Sequence, residues 1–224
     1  MKKYTIEDLK GFEKDENGRL LCPAGDYTEI ASFPGWCRFG AGCRFGAWCR
    51  FGAWCSFGAG CSFGAGCSFG EWCSFGEGCR FGERCSFGEG CSFGAGCSFG
   101  EVCRFGEDCR FGEDCRFGAW CRFGAGCSFG AGCSFGEECQ FEGGHIAAPG
   151  YPVLTFSGFG SANRATYAFN CKDGIVIRCG YFSGTLEEFR EKVRERHGDT
   201  PFAIEYLAIA DLIERRFSRE GWAR

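Results

Sequence analysis

Residues 37–54 read CRFGAGCRFGAWCRFGAW, and this six-residue pattern decides the fold of the chain. From Cys37 to Gly144, eighteen such repeats follow one another without an insertion, each with Cys first and Phe third. Eighteen of the 21 cysteines and eighteen of the 27 phenylalanines stand at these two positions. Strict self-similarity at a short period is typical of a solenoid, in which each repeat buries its apolar face only against its neighbours.

The order of residues within a repeat predicts a short strand and a corner. Cys and Phe are two residues apart, so on an extended segment their side chains point to the same side, while the Ser or Arg between them points into water. The Gly that follows, with two variable residues, predicts a turn whose backbone needs the conformational freedom of glycine.

Read from its third position, the repeat becomes Phe-Gly-x-x-Cys-Ser, which resembles the hexapeptide pattern of left-handed parallel β-helix proteins. The resemblance covers all eighteen repeats, but Phe replaces the usual Leu, Ile or Val, and Cys replaces Ala, Ser or Thr. It implies a mainly β fold, a left-handed parallel β-helix with three hexapeptides per coil. The bulk of Phe leaves open a coil of four repeats, as in the pentapeptide-repeat helix. Such an array with a C-terminal tail also resembles uncharacterised proteins of phages and gut bacteria, which implies no activity.

Three regions are predicted along the chain. Residues 1–36 form an N-terminal cap with degenerate repeats, because Tyr27 and Phe33 fall in register with the repeat phenylalanines. Residues 37–144 form the hexapeptide-repeat β-solenoid. Residues 150–224 form a small C-terminal α/β cap with the order ββαα.

Local signals define the elements of the C-terminal region. The Asp-Gly pair within residues 171–174 predicts a β-hairpin. Thr185 and Glu188 have the spacing of a capping box that opens a helix. Thr200 and Pro201 then predict the start of a second helix.

Charge and hydropathy exclude several classes of partner. Residues 37–142 carry nine Arg against twelve acidic residues, and residues 145–224 carry eleven basic against ten acidic residues. This balance lacks the basic footprint of a nucleic-acid-binding protein, so we expect no nucleic-acid partner. No apolar run follows Lys2 and Lys3, and no stretch approaches a membrane span. We expect a cytoplasmic protein without a membrane partner.

The regular cysteines favour packing over chemistry. Thiolate metal sites gather their ligands through short pairs such as Cys-x-x-Cys, whereas these cysteines recur at an even spacing beside Phe. A free Cys behaves as a small buried hydrophobe. We therefore expect no metal and no cofactor, with thiol-based metal binding as an alternative.

The sequence favours a non-catalytic scaffold or macromolecular binding module that displays residues on a rigid solenoid. The alternative enzyme is a hexapeptide-type acyltransferase, which the resemblance implies would use a histidine base. The chain has two histidines, His145 and His197, and both lie outside the repeats. We expect no enzyme activity and no catalytic residue, and fold analogy alone does not carry a function.

The sixth positions of the repeats supply the candidate interaction surface. With three repeats per coil, Trp36, Trp54 and Trp72 fall on one edge and Trp48 on another, and acidic residues follow the first edge at the fifth positions. The candidate residues are Trp36, Trp48, Trp54, Trp72, Glu71, Glu89 and Glu107. Either the tryptophans cover backbone and the N-terminal segment, or they form an exposed strip for a protein partner or self-association.

Overall fold

The computed structural model describes residues 1–148, 152–161 and 165–218. The chain divides into two compact units, Met1–Gly144 and His145–Arg224. The first unit is a parallel β-solenoid that begins with the short helix α1, Ile6–Lys10. The second unit contains an antiparallel sheet and two helices.

Three parallel sheets form the faces of the solenoid. Face 1 consists of β1 Leu20–Cys22, β4 Cys37–Phe39, β7 Ser56–Phe57, β10 Ser74–Phe75, β13 Ser92–Phe93, β16 Arg110–Phe111 and β19 Ser128–Phe129. Face 2 consists of β2 Asp26–Tyr27, β5 Arg44–Phe45, β8 Ser62–Phe63, β11 Arg80–Phe81, β14 Ser98–Phe99, β17 Arg116–Phe117 and β20 Ser134–Phe135. Face 3 consists of β3 Ser32–Phe33, β6 Arg50–Phe51, β9 Ser68–Phe69, β12 Ser86–Phe87, β15 Arg104–Phe105 and β18 Arg122–Phe123.

The register of these sheets gives three repeats per coil. Phe75 pairs with Phe93 on the same face, one coil further along the chain. Phe81 and Phe87 occupy the other two faces between them. This pairing excludes the four-repeat coil and confirms the predicted triangular coil of parallel strands.

The phenylalanines fill the interior in a herringbone arrangement. Within one coil, Phe75 and Phe81 meet edge to face with ring centroids 5.0 Å apart. Between coils, Phe75 and Phe93 stack in parallel at 4.9 Å, the spacing of neighbouring β-strands. Each edge-to-face or offset pair adds about 0.5–1.5 kcal/mol to the burial of the rings. Phenylalanine rings from all three faces therefore pack against one another in the interior.

The cysteine thiols lie in the same interior and donate hydrogen bonds. The Sγ of Cys61 lies 3.4 Å from the carbonyl oxygen of Gly40 in the preceding coil. The same contact recurs through the array and ends with Cys139 and Gly118 at 3.2 Å. All 21 cysteines are free, and only Cys179 is not fully buried. The predicted packing role is confirmed, and the thiol adds a donor for a buried carbonyl that Ala cannot supply.

Glycine at the fourth position permits the close approach of successive coils. A Cβ on Gly58 would lie 2.6 Å from the backbone nitrogen of Ala41 in the preceding coil. Any side chain here would push the coils apart, so this position requires glycine.

The N-terminal residues extend the aromatic core by one layer. Tyr27 stacks on Phe45 at 5.5 Å, and Phe33 stacks on Phe51 at 4.7 Å, as their register predicts. Tyr4 stacks on the other side of Tyr27 at 5.0 Å. Its backbone N–H donates to the carbonyl of Asp26. These contacts cover the first coil, whose strand edges are otherwise open.

The second unit has more strands than the sequence predicts. Its elements are β21 Val153–Phe156, β22 Thr166–Cys171, β23 Gly174–Cys179, β24 Phe182–Thr185, α2 Leu186–His197 and α3 Pro201–Phe217. The order ββαα is therefore wrong, because four antiparallel strands precede the helices. The chain turns at Gly180, where φ is 61°. Phe182 then starts the additional strand β24.

The predicted capping box at Thr185 and Glu188 and the start of α3 at Pro201 are confirmed. Both helices pack on one sheet face through a core that includes Ala168, Ile177 and Ile213. Among the described residues, no helix is long and apolar enough to span a membrane.

Candidate functional site

The sixth position of each repeat has a left-handed backbone, which makes a tryptophan there unusual. Glycine occupies this position at Gly42 and Gly60, with φ of 69° at both. Trp36, Trp54 and Trp72 adopt the same conformation with φ between 57° and 63°. A non-glycine residue in this region is destabilised by roughly 1–2 kcal/mol. Backbone strain of this kind clusters at functional sites, so the structure marks the tryptophans as candidates.

Three of these tryptophans form a continuous strip, which we call the Trp edge: Trp36, Trp54 and Trp72. The ring centroids of Trp36 and Trp54 are 5.9 Å apart, and those of Trp54 and Trp72 are 5.7 Å apart. Their side chains remain 52%, 49% and 41% exposed, respectively. The predicted column is therefore present, and its indoles face solvent.

The tryptophans also lie on backbone, as the alternative interpretation expected. The ring of Trp72 lies over Gly90 in the next coil, where an added Cβ would collide with the indole. Trp48 stands at a different corner, between faces 2 and 3, and covers Gly66 in the same way. Trp48 is nevertheless 67% exposed. Covering glycine thus accounts for one face of the Trp48 and Trp72 rings and leaves the rest of each ring accessible.

The Trp edge stays exposed although the N-terminal segment carries apolar groups at Tyr4, Ile6 and Leu9. Tyr4 stacks on Tyr27 inside the solenoid, and Leu9 is buried. Ile6 is 54% exposed.

Three arginines surround these tryptophans, a feature that sequence analysis missed. Arg38, Arg44 and Arg50 project from faces 1, 2 and 3 of one coil, and all three are exposed. Arg50 lies on the face between Trp48 and Trp54, and Arg38 follows Trp36 around the corner. None of these arginines forms an ion pair with a described residue. Ser32 and Ser68 are the lateral neighbours of Arg50, so its guanidinium is not crowded.

The sequence indicates this arginine cluster by a segment that contains arginine but no acidic residue. Residues 30–70 contain these three arginines and no Asp, Glu or Lys. Residues 71–142 contain all twelve acidic residues of the repeat region and six arginines. Averaging over the whole array hid a strong charge asymmetry along the solenoid.

The predicted glutamates lie at the same corner as the Trp edge, beside Trp72 and on the coils that follow it. Glu71, Glu89 and Glu107 occupy its fifth positions on successive coils and are exposed. The carbonyl of Glu71 accepts the backbone N–H of Trp54 at 2.9 Å, and that of Glu89 accepts the N–H of Trp72 at 2.8 Å. The glutamate side chains therefore place negative charge at the C-terminal end of the strip.

The two histidines lie in the second unit and outside the repeats. His145 Nδ1 is 2.7 Å from Asp173 Oδ2, and this contact lowers the pKa of the Asp173 carboxyl. The ring of His197 packs against Tyr206 at 5.5 Å. Neither histidine occupies the coil position that an acyltransferase reading would need.

One comparison with known proteins gives a match. A family model for an RNA-binding, Nab2-type zinc finger matches residues 33–46, 36–52, 48–64, 54–70, 72–88, 78–100, 90–106, 97–112, 108–124, 114–130 and 126–141. Together these segments span less than half of the 224 residues. No curated protein and no solved structure matches the chain.

This match contradicts our prediction that nucleic acid is excluded as a partner. The matched family binds RNA, and three of the matched segments, 33–46, 36–52 and 48–64, overlap the coil of Arg38, Arg44 and Arg50. The prediction failed because it rested on net charge over 106 residues, whereas three arginines are concentrated in one coil and residues 30–70 contain no acidic residue. The match also names a zinc-finger family rather than hexapeptide-repeat proteins.

The residues of the matched segments do not fit a zinc ion. Structural zinc sites bring four Cys or His ligands to one ion at roughly 2.0–2.3 Å. The range 33–141 contains no histidine. Its thiols point to glycine carbonyls in successive coils. Among the described residues, no group of three or more His, Cys, Asp or Glu side chains is placed to hold a metal. The matched segments therefore lack a ligand set for the zinc ion that the family's name implies.

Proposed function

We propose that this protein is a non-catalytic repeat scaffold that binds single-stranded RNA. The binding surface comprises the Trp edge, Trp48 and the arginines of the same coil, with Arg50 at its centre. The observation that carries the proposal is Arg50, which lies on the face between Trp48 and Trp54 and forms no ion pair with a residue that the structure describes. The RNA-binding character of the matched family supports the choice of ligand.

Single-stranded nucleic acid suits this combination of groups. Unpaired bases stack on aromatic side chains, and each such contact contributes about 1–3 kcal/mol. Arginine pairs with phosphate through two parallel hydrogen bonds. A duplex keeps its bases stacked inside, so it cannot use the exposed indoles.

Charge limits the surface to the N-terminal part of the solenoid. Phosphates are attracted to Arg38 and Arg50 and are repelled by Glu71, Glu89 and Glu107 further along the same corner. The bound RNA therefore contacts Trp36 and Trp54 more closely than Trp72. The scaffold itself contributes rigidity, because the indoles are fixed before RNA binds.

A binding measurement with one matched pair of variants tests the proposal. The probe is a fluorescently labelled, single-stranded RNA of mixed sequence, about 12 nucleotides long, within the usual site size for such surfaces. Fluorescence anisotropy should show saturable binding by the full chain. Arg50→Gln should weaken it about tenfold, which corresponds to ~1.4 kcal/mol.

Arg122→Gln is the matched control, because Arg122 occupies the same column of face 3 at the far, acidic end. It should leave the affinity unchanged. Addition of a chelator should also leave the affinity unchanged, since the repeat thiols donate to backbone carbonyls and are not grouped around a zinc site. Absence of saturable binding, or equal losses in both variants, would reject the proposal. Equal affinity for double-stranded RNA would reject the role of the indoles.

A further inference from the structure

A half-open cavity lies in the second unit, far along the sequence from the Trp edge. Its volume is about 120 Å³, and residues of β23, β24, α2 and α3 line it. An engineered cavity of about 150 Å³ in another protein holds benzene. The space here therefore matches one small ring that remains open to solvent on one side.

The walls of the cavity are apolar and aromatic. Phe182 and Phe189 lie with ring centroids 5.5 Å apart, and Val193 lies one helical turn beyond Phe189. Phe189 also meets Tyr206 edge to face at 6.0 Å. These groups offer a flat, fixed contact for the body of a ligand, as in most small-molecule sites.

The rim is cationic on the α2 side. Lys192, Arg196 and His197 line the opening within the last turns of this helix. Lys192 is paired with Glu195 at 2.7 Å. Arg196 is exposed and forms no ion pair with any residue that the structure describes. Its guanidinium is therefore available to an anion at the mouth of the cavity.

Hydroxyl groups supply polar contacts inside the cavity. Burial raises the pKa of Tyr206, whose hydroxyl forms hydrogen bonds with Ser161 and Cys179. Ser161 lines the same space. Gly160 lets this loop approach the ring of Tyr206, with which a Cβ would collide. The loop and helix α3 are thus fitted to each other around the cavity.

We propose that this cavity binds a small organic anion built on a single aromatic ring. The ring lies against Phe182 and Phe189, and the anionic group pairs with Arg196 at the rim. Arginine presents a planar pair of donors that matches carboxylate and phosphate oxygens. The apolar walls exclude a free inorganic anion as the preferred ligand, because it would leave them without a contact.

Titration of phenyl phosphate into the isotope-labelled full chain, followed by NMR, tests this site. The expected result is a saturable shift of the ring signals of Phe189 and Tyr206, with a dissociation constant of about 1 mM or tighter, as befits so small a ligand. Benzoate, tested in the same way, should shift the same signals if carboxylate and phosphate are equivalent ligands. Absence of saturation for both probes would overturn the proposal.

Two comparisons separate the ring from the charge. Inorganic phosphate and benzyl alcohol should each bind at least about tenfold more weakly than phenyl phosphate. Arg196→Gln should weaken phenyl phosphate by about tenfold. Arg194→Gln, which removes the same charge outside the cavity lining, should not. Equal binding by inorganic phosphate, or equal losses in the two variants, would show a non-specific attraction instead.

Discussion

The indole of Trp54 stacks on that of Trp72 with ring centroids 5.7 Å apart and planes inclined by 14°. Both residues hold this contact with a left-handed backbone, φ 63° and 57°. Glycine occupies the equivalent position at about half of the other corners of the array without strain. Because stacking and strain act in opposite directions, the net contribution of each indole to folding is small. A role in binding therefore explains these exposed tryptophans better than a role in folding.

The double variant Trp54→Gly, Trp72→Gly should fold normally and lose RNA affinity. It loses two aromatic pairs, Trp36–Trp54 and Trp54–Trp72, at about 0.5–1.5 kcal/mol each, and relieves backbone strain of roughly 1–2 kcal/mol per residue. The free energy of unfolding, measured with denaturant by circular dichroism, should change by no more than about 1–2 kcal/mol in either direction. RNA affinity should fall by at least tenfold, or ~1.4 kcal/mol.

Trp120→Gly provides the control for this variant. Trp120 also occupies a sixth position with φ 64° and is 57% exposed. It stands in the acidic part of the array, where Glu137 and Glu138 follow one coil later. Its replacement should leave RNA affinity intact. A large loss of stability in the double variant, with binding retained by the folded fraction, would assign the Trp edge to structure.

RNA binding should weaken with salt to a degree set by the number of phosphate contacts. Each neutralised phosphate of a single strand contributes a slope of about −0.7 to the plot of log affinity against log salt concentration. Two or three contacts from Arg38, Arg44 and Arg50 therefore give a slope between roughly −1.4 and −2.1. Arg50→Gln should make the slope shallower by about 0.7. A slope near zero would contradict the role of the arginines.

Period and side-chain size were sufficient to predict the solenoid. The alternation of Cys and Phe predicts which side chains point inward, and the register of Tyr27 and Phe33 predicts where the array begins. The six-residue period favoured three repeats per coil, and the bulk of Phe left a coil of four open until the register decided it. The herringbone of Phe75, Phe81 and Phe93 shows how three aromatic rings fit one triangular coil.

The candidate site was only partly predictable. The column of Trp36, Trp54 and Trp72 follows from the triangular coil, but its exposure depends on rotamers that sequence does not specify. The arginines were missed because net charge was summed over the array. In the second unit, β24 was missed because Phe182 continues an apolar pattern that begins before the turn at Gly180.

Removal of a central aromatic ring should destabilise the solenoid more than removal of a terminal one. Phe93 stacks on Phe75 and Phe111, one on each side, and is only 4% exposed. Phe93→Ala should cost about 3–5 kcal/mol through lost burial and the cavity that remains. Phe33, which stacks only on Phe51, should cost less when replaced by Ala. Denaturant unfolding measures both, and equal costs would contradict a core packed from both sides.

Alkaline pH should unfold the solenoid through its buried thiols. The hydrogen bond that the Cys97 thiol donates to Cys115 and the loss of water raise the pKa of Cys97 to about 12. The pKa values of Cys91, Cys109 and Cys115 are raised to about 12 by the equivalent hydrogen bond to the cysteine of the next coil and by burial. Each thiol binds its proton more tightly in the folded state, so its contribution is complete below the pKa of the unfolded thiol, 9.0. That contribution is lost as the pH rises from there toward 12.

Stability should therefore decline above about pH 9 by roughly 1.4 kcal/mol per pH unit for each such thiol. The measurement is the free energy of unfolding between about pH 8 and pH 11, followed by circular dichroism under reducing conditions. Cys97→Ala should lower stability at neutral pH, because a donor to the carbonyl of Gly76 is lost. It should also make the alkaline decline shallower by about 1.4 kcal/mol per pH unit, since one titrating group is removed. An unfolding free energy that stays constant up to pH 11 would show that the thiols ionise inside the folded solenoid without penalty, against the burial that the structure gives them.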